Sequence, residues 1–235
     1  MTEISEEFVE RQVNDLKQRD EVRAVSVIGS YARDPEADHN DLDIFIIVEG
    51  NYRKRKTEEV DGVVFEKFFN SMDWCRKYLK RDDWWKNYRW YTKAEVYHDP
   101  DDLFDKLVSE AKDIREGQMS LSDQDKKEIS YTIWDFQQDI ESNDVAQKRF
   151  MMNQLFEYLL HKQYYLKDQV PVKRNYRLQK LKQFDGYMYK LAQEFLNSSS
   201  TLEKERKLEK IINHISRDLP EIDPEWETEK EEFNG

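Results

Sequence analysis

Two carboxylates, Asp41 and Asp43, open the aliphatic run Asp41-Leu-Asp-Ile-Phe-Ile-Ile-Val48. On an extended strand side chains alternate with period two, so residues two apart point to one face. Like charges held side by side repel, and a divalent cation between them removes the penalty. Eleven residues before Asp41 the segment Val27-Ile-Gly-Ser-Tyr-Ala-Arg33 ends another apolar stretch in a Gly-Ser turn. Gly29 and Ser30 there offer backbone N–H groups to an anion. A phosphate seat beside a metal-binding carboxylate pair is equipment for phosphoryl or nucleotidyl transfer.

At these residues the chain resembles the nucleotidyltransferase superfamily that includes DNA polymerase beta. Gly29-Ser30, then about ten residues, then Asp41-Leu42-Asp43 within aliphatics match the pattern of its small members. Two positions depart from it: Asp34 stands where the family often has Gly, and Asn40 where Ser is frequent. The resemblance implies Mg²⁺ held by Asp41 and Asp43, with ATP as co-substrate and its β- and γ-phosphates on Gly29 and Ser30. Arg33 is placed to add a charge-assisted contact. A third acid is expected on a neighbouring strand. Glu66, the lone acid in Val63-Val-Phe-Glu-Lys-Phe-Phe69, is the candidate, as metal ligand or as general base. Glu95 is the runner-up, and Asp135 in the C-terminal half stays open. Pro171-Val-Lys-Arg174 resembles an element of related antibiotic-modifying enzymes and makes Lys173 a candidate phosphate contact, within the basic group Lys173, Arg174, Arg177, Lys180 and Lys182.

The elements that must position these groups are legible in outline. Phe8, Val9, Val13 and Leu16 predict a helix over 5–19. Strands are expected over 22–28, 42–48, 63–69 and 94–97, with a short helix at 31–33. The basic run Tyr52-Arg-Lys-Arg-Lys56 reads as a solvated loop. A helix is expected over 71–90, capped by Ser71, and carries Trp74, Trp84, Trp85, Tyr88 and Trp90. These aromatics, with Tyr91, read first as core, with some able to wall an acceptor cleft. Another helix begins near Leu103, and Gly117–Ser122 reads as a linker. Helices near 122–141, 144–168, 176–197 and 201–217 follow. The fold class is therefore α+β: a mixed-sheet domain over 1–117, a helical bundle over 122–219 and an acidic tail over 220–235.

The chain has 235 residues, 13% of them aromatic, which is enough to bury a core despite 37% charged residues. A net charge of −12 disfavours gripping duplex nucleic acid and favours a cationic acceptor. Cys75 is the only cysteine and has no zinc-type spacing with the four histidines. The opening residues lack signal-peptide character and no apolar run could cross a bilayer, so a cytoplasmic location is expected.

A mixed-sheet half followed by helices resembles the kanamycin and lincosamide nucleotidyltransferases. The resemblance implies transfer of a nucleoside monophosphate, AMP from ATP, to a hydroxyl of a small molecule such as an aminoglycoside-like antibiotic. Membrane partners are not expected, and homodimer formation is left open. Two alternatives remain: a protein-AMPylating enzyme of toxin–antitoxin type, and a catalytically silent nucleotide-binding module.

Overall fold

The computed structural model describes residues 4–35, 39, 41–81, 83–142 and 144–221, so Asn40 and the expected acidic tail beyond Glu221 lie outside the described residues. The chain divides into two compact units, Met1–Gly117 and Gln118–Gly235.

The first unit is built on five strands, β1 (Val22–Ile28), β2 (Asp41–Val48), β3 (Arg53–Val60), β4 (Val63–Asn70) and β5 (Glu95–His98). They lie in the order β3-β4-β2-β1-β5. β2 and β4 run parallel and the other neighbours antiparallel, which is the mixed sheet expected. Both faces of β2 are apolar beyond its first turn of pleat, so both faces of the sheet are covered. Helix α1 (Glu6–Lys17) packs Phe8, Val9, Val13 and Leu16 against Val25, Val27, Leu42, Ile44 and Phe65. The opposite face packs Ile28, Phe45 and Ile47 against α2 (Met72–Leu79), α3 (Trp84–Thr92) and α4 (Leu103–Met119) through Cys75, Leu79, Tyr91, Phe104 and Leu107.

Three expectations are corrected. Residues 53–60 are not a loop but β3, paired antiparallel with β4 from Arg53↔Asn70 to Val60↔Val63. Sequence periodicity misses it because an edge strand is held by backbone hydrogen bonds and carries charges that discourage further pairing. The helix expected over 71–90 is two helices, broken between Lys80 and Asp83. Ser71 does cap the first, accepting from the Trp74 N–H at 3.5 Å. Gly117 lies inside α4, which runs on to Met119, so only 120–122 separate it from the next helix. Asp99 fixes the start of α4 by accepting from the N–H groups of Leu103 and Phe104, both at 2.8 Å.

The second unit is helical: α5 (Asp123–Ser142), α6 (Val145–Leu166), α7 (Arg177–Phe184), α8 (Gly186–Leu196) and α9 (Thr201–Ile215). Its core centres on Leu155, Leu159, Phe195 and Ile211, with the rings of Phe156 and Phe195 stacked at 4.5 Å. A polar network centred on Asp185 sits inside it. Asp185 caps α8 through the Met188 N–H at 2.9 Å and accepts from Gln163 Nε2 at 2.6 Å and His214 Nε2 at 2.8 Å. Among the described residues no helix is long and apolar enough to cross a membrane.

Candidate active site

The geometry begins at Gly29, whose φ of +82° favours glycine. A Cβ at this position would lie 2.2 Å from Asp43 Oδ2. The Asp43 carboxylate therefore rests directly against the turn that ends β1, and only a residue without a side chain admits it. The register agrees, pairing Ile28 with Asp43. Asp41 lies two residues earlier on the same face and is exposed, so both carboxylates stand at the strand end beside the Gly-Ser turn.

The helix expected after that turn is a single 3₁₀ turn, Tyr31–Arg33. So short an element has a negligible dipole, which leaves the turn itself and the Ser30 hydroxyl to meet an anion. Arg33 is exposed at its end. His39 is the residue that sequence reasoning missed. Its Nε2 lies 2.6 Å from the Asp34 carbonyl, and its Nδ1 lies 3.2 Å from Ser30 Oγ. A carbonyl only accepts, so Nε2 donates and Nδ1 accepts the Ser30 hydroxyl proton. The imidazole thereby turns the Ser30 oxygen in one direction and packs edge-on against Tyr31 at 5.5 Å. The one available signal was its position two residues before Asp41.

Glu66 is the direct parallel-register partner of Asp43, and opposed residues share a face. Its carboxylate, however, is paired with Arg55 of β3. Asp43 lies against Gly29 on one side while Glu66 reaches for Arg55 on the other, and no three His, Cys, Asp or Glu among the described residues converge as a metal cluster. Glu95 pairs with Val27, whose side chain packs on the α1 face. The runner-up acid is therefore on the wrong side of the sheet.

The helical unit holds the remaining candidates. Lys173 is exposed just before the turn Arg174–Tyr176. Arg177 of the same basic group is buried, reaching Glu157 at 3.2 Å and the Val172 carbonyl at 3.4 Å, so it serves the fold. Asp135 lies on α5. The aromatic residues of α2 and α3 divide as well: Trp84, Trp85 and Tyr91 are core, while Trp74 and Tyr78 are partly exposed.

Residues 9–95 match the family model of the nucleotidyltransferase domain, the segment that carries Gly29, Ser30, Asp41, Asp43 and Glu66. The matched segment lies within the first unit and supports a nucleotidyl transfer activity in general. The fold is similar to the crystal structure of a nucleotidyltransferase-like protein from Exiguobacterium sibiricum 255-15, with a TM-score of 0.57 at 14% identity, covering 91% of this chain and 75% of that one. Comparison with curated proteins finds none that matches.

Proposed function

We propose that the chain transfers a nucleoside monophosphate, AMP from ATP, to a hydroxyl of a small molecule in a Mg²⁺-dependent reaction. The observation that carries the reading is the Asp43 carboxylate seated against Gly29, in a space that a Cβ would fill. The donor chemistry fits the metal: Mg²⁺ is usually held by one or two carboxylates together with substrate phosphates. Asp41 and Asp43 would hold it, and when bound it would offset the charge that develops on the phosphates. Gly29 and Ser30 seat the triphosphate, the latter with its hydroxyl directed by His39. Arg33 adds positive charge to that seat. The acceptor oxygen bonds to the α-phosphorus, the bond from that phosphorus to the bridging oxygen breaks, and pyrophosphate leaves. The hydroxyl proton passes to a carboxylate, for which Glu66 is placed once Arg55 releases it. The two-part plan of the chain, as in the kanamycin-type enzymes, supports a small hydroxylated acceptor over a protein one.

The test is product mass. Incubation with ATP, Mg²⁺ and a panel of hydroxylated compounds should add one AMP to a member of the panel and release pyrophosphate. No transfer to any acceptor, with ATP raising the melting temperature equally in Mg²⁺ and in EDTA, would overturn the metal-bridged reading. Glu66→Gln divides its two roles: a general base is needed for transfer alone, a metal ligand for transfer and for Mg²⁺-dependent ATP binding.

A further inference from the structure

Strand alternation divides the basic run of β3 between the two faces of the sheet. Lys56 turns to the α1 side, where Glu58 pairs with both Lys56 and the buried Lys67. Arg53 and Arg55 turn to the side of Glu66, Phe68 and Asn70. There they meet the outer surface of α2. Arg53 lies 5.9 Å from the ring of Trp74 and 5.4 Å from that of Tyr78, whose hydroxyl it also contacts. Lys77 Nζ sits 4.5 Å above Trp74. Arg55 covers Phe68 at 5.0 Å and reaches Glu66.

This surface has the opposite sign to the chain as a whole. Among the described residues neither Arg53 nor Lys77 meets a carboxylate; aromatic faces hold both in place. Cations packed on rings keep their outer N–H groups for a ligand, and half-exposed rings among them offer stacking to a planar one. The patch is continuous with the proposed transfer site, because Arg55 joins it to Glu66. A polycation brought to Glu66 from this side would meet Arg53 and Lys77 and be repelled, whatever the net charge of the molecule.

We propose that the β3–α2 surface binds phosphate groups of the acceptor, so that the acceptor is a phosphate-bearing, nucleotide-like molecule rather than an aminoglycoside-like polycation. The inference rests on the transfer site proposed above for its meaning, but binding at the surface is separable from transfer. Arg55 then has a second part: an arriving phosphate competes for its guanidinium and frees Glu66 beside Asp43.

The test uses a fluorescein-labelled single-stranded hexaribonucleotide, with anisotropy read in EDTA and without ATP. The wild-type chain should bind it saturably and more weakly as salt rises. Arg53→Gln/Lys77→Gln should weaken binding about tenfold or more and reduce the log–log salt slope by about 1.4, the share of two phosphate contacts on a single strand. Both positions are exposed, and an unchanged melting temperature certifies the fold; Arg53→Lys, which keeps the charge, should bind nearly as the wild type does. Trp74→Ala should cost a further factor of about ten through lost stacking. Asp43→Asn should leave binding in place while abolishing transfer, so failure of the transfer reading and failure of this one give different results. Unlabelled uridine 5′-monophosphate and unlabelled hexamer, matched for phosphate, distinguish the sources. Displacement by both supports a small phosphorylated acceptor, and displacement by the hexamer alone supports a strand end. Absence of saturable binding, or binding indifferent to Arg53→Gln/Lys77→Gln, overturns the proposal.

Discussion

Asp43 in the sheet unit and Asp185 in the helical unit are the same chemical group put to opposite uses. Asp185 is almost wholly buried and closes a network: it caps α8 and ties α6 and α9 together through Gln163 and His214. Burial pushes its pKa up, but the hydrogen bonds from His214, the Met188 N–H and Gln163 outweigh this and hold it below the usual carboxylate range. Asp43 stands at a strand end, against a glycine that leaves no side chain in its way. One carboxylate is surrounded by donors and stabilises the fold. The other is brought beside a second acid, Asp41, in an arrangement that adds repulsion to the fold and is useful only when a cation arrives.

The sharpest test of this contrast is a matched pair of substitutions. Asp43→Asn should lower transfer by at least about a hundredfold with an unchanged or slightly raised melting temperature. Asp185→Asn should do the reverse, costing about 2 kcal/mol of stability while the helical unit, once folded, leaves nucleotide chemistry at the sheet unit intact. Urea denaturation and a pyrophosphate-release assay on both variants check it, and equal destabilisation by the two would break the comparison.

Gly29→Ala should cut into both properties at once. It places a side chain at a φ of +82° and a Cβ 2.2 Å from Asp43 Oδ2, so about 1–3 kcal/mol of strain is expected. The displaced carboxylate should also lose most of the Mg²⁺-dependent part of the ATP thermal shift. A variant as stable and as responsive as the wild type would show that the close approach of turn and carboxylate has no role.

The smallest effect concerns pH. Burial, with help from Arg177 and Lys162, lowers the pKa of His161 in the helical unit from 6.5 to about 4. Between those values the unfolded chain takes up a proton that the folded chain refuses, so stability falls as pH drops through that window. Asp185, with its lowered carboxylate pKa, contributes stability that is present above its unfolded value and lost only as pH falls through the folded one. His161→Gln should therefore flatten the upper part of the acid limb in urea midpoints measured at several pH values, leaving the Asp185 part. An unaltered profile would remove His161 from the account.

Much of the sheet unit could be read from residue types. The apolar runs in Val22–Ile28 and Leu42–Val48 marked two strands, and the Gly-Ser and Asp-x-Asp spacing located the turn and the carboxylate pair, because both depend on local chain geometry. β3 was not legible, since an edge strand of Arg, Lys, Thr and Glu shows no apolar alternation and exists through its pairing with β4. The break between α2 and α3 was hidden for a similar reason: aromatic residues continue across it, and only packing assigns Trp84 to the core and Trp74 to the surface. The role of His39 at Ser30 was equally out of reach, because a contact between side chains nine residues apart leaves no periodic signal.

What the sequence determined alone was the set of reactive groups and the strands that carry them: Asp41 and Asp43 share a face because a pleat has period two, and Gly29 admits a positive φ because it lacks a Cβ. The tertiary structure decided which groups meet. Register places Glu66 beside Asp43 and sends Glu95 to the opposite face, and the pairing of β3 delivers Arg55 to Glu66. The reason is physical: alternation along a strand is a local property, whereas the neighbour across a sheet is chosen by hydrogen-bond register and by the burial of both faces together.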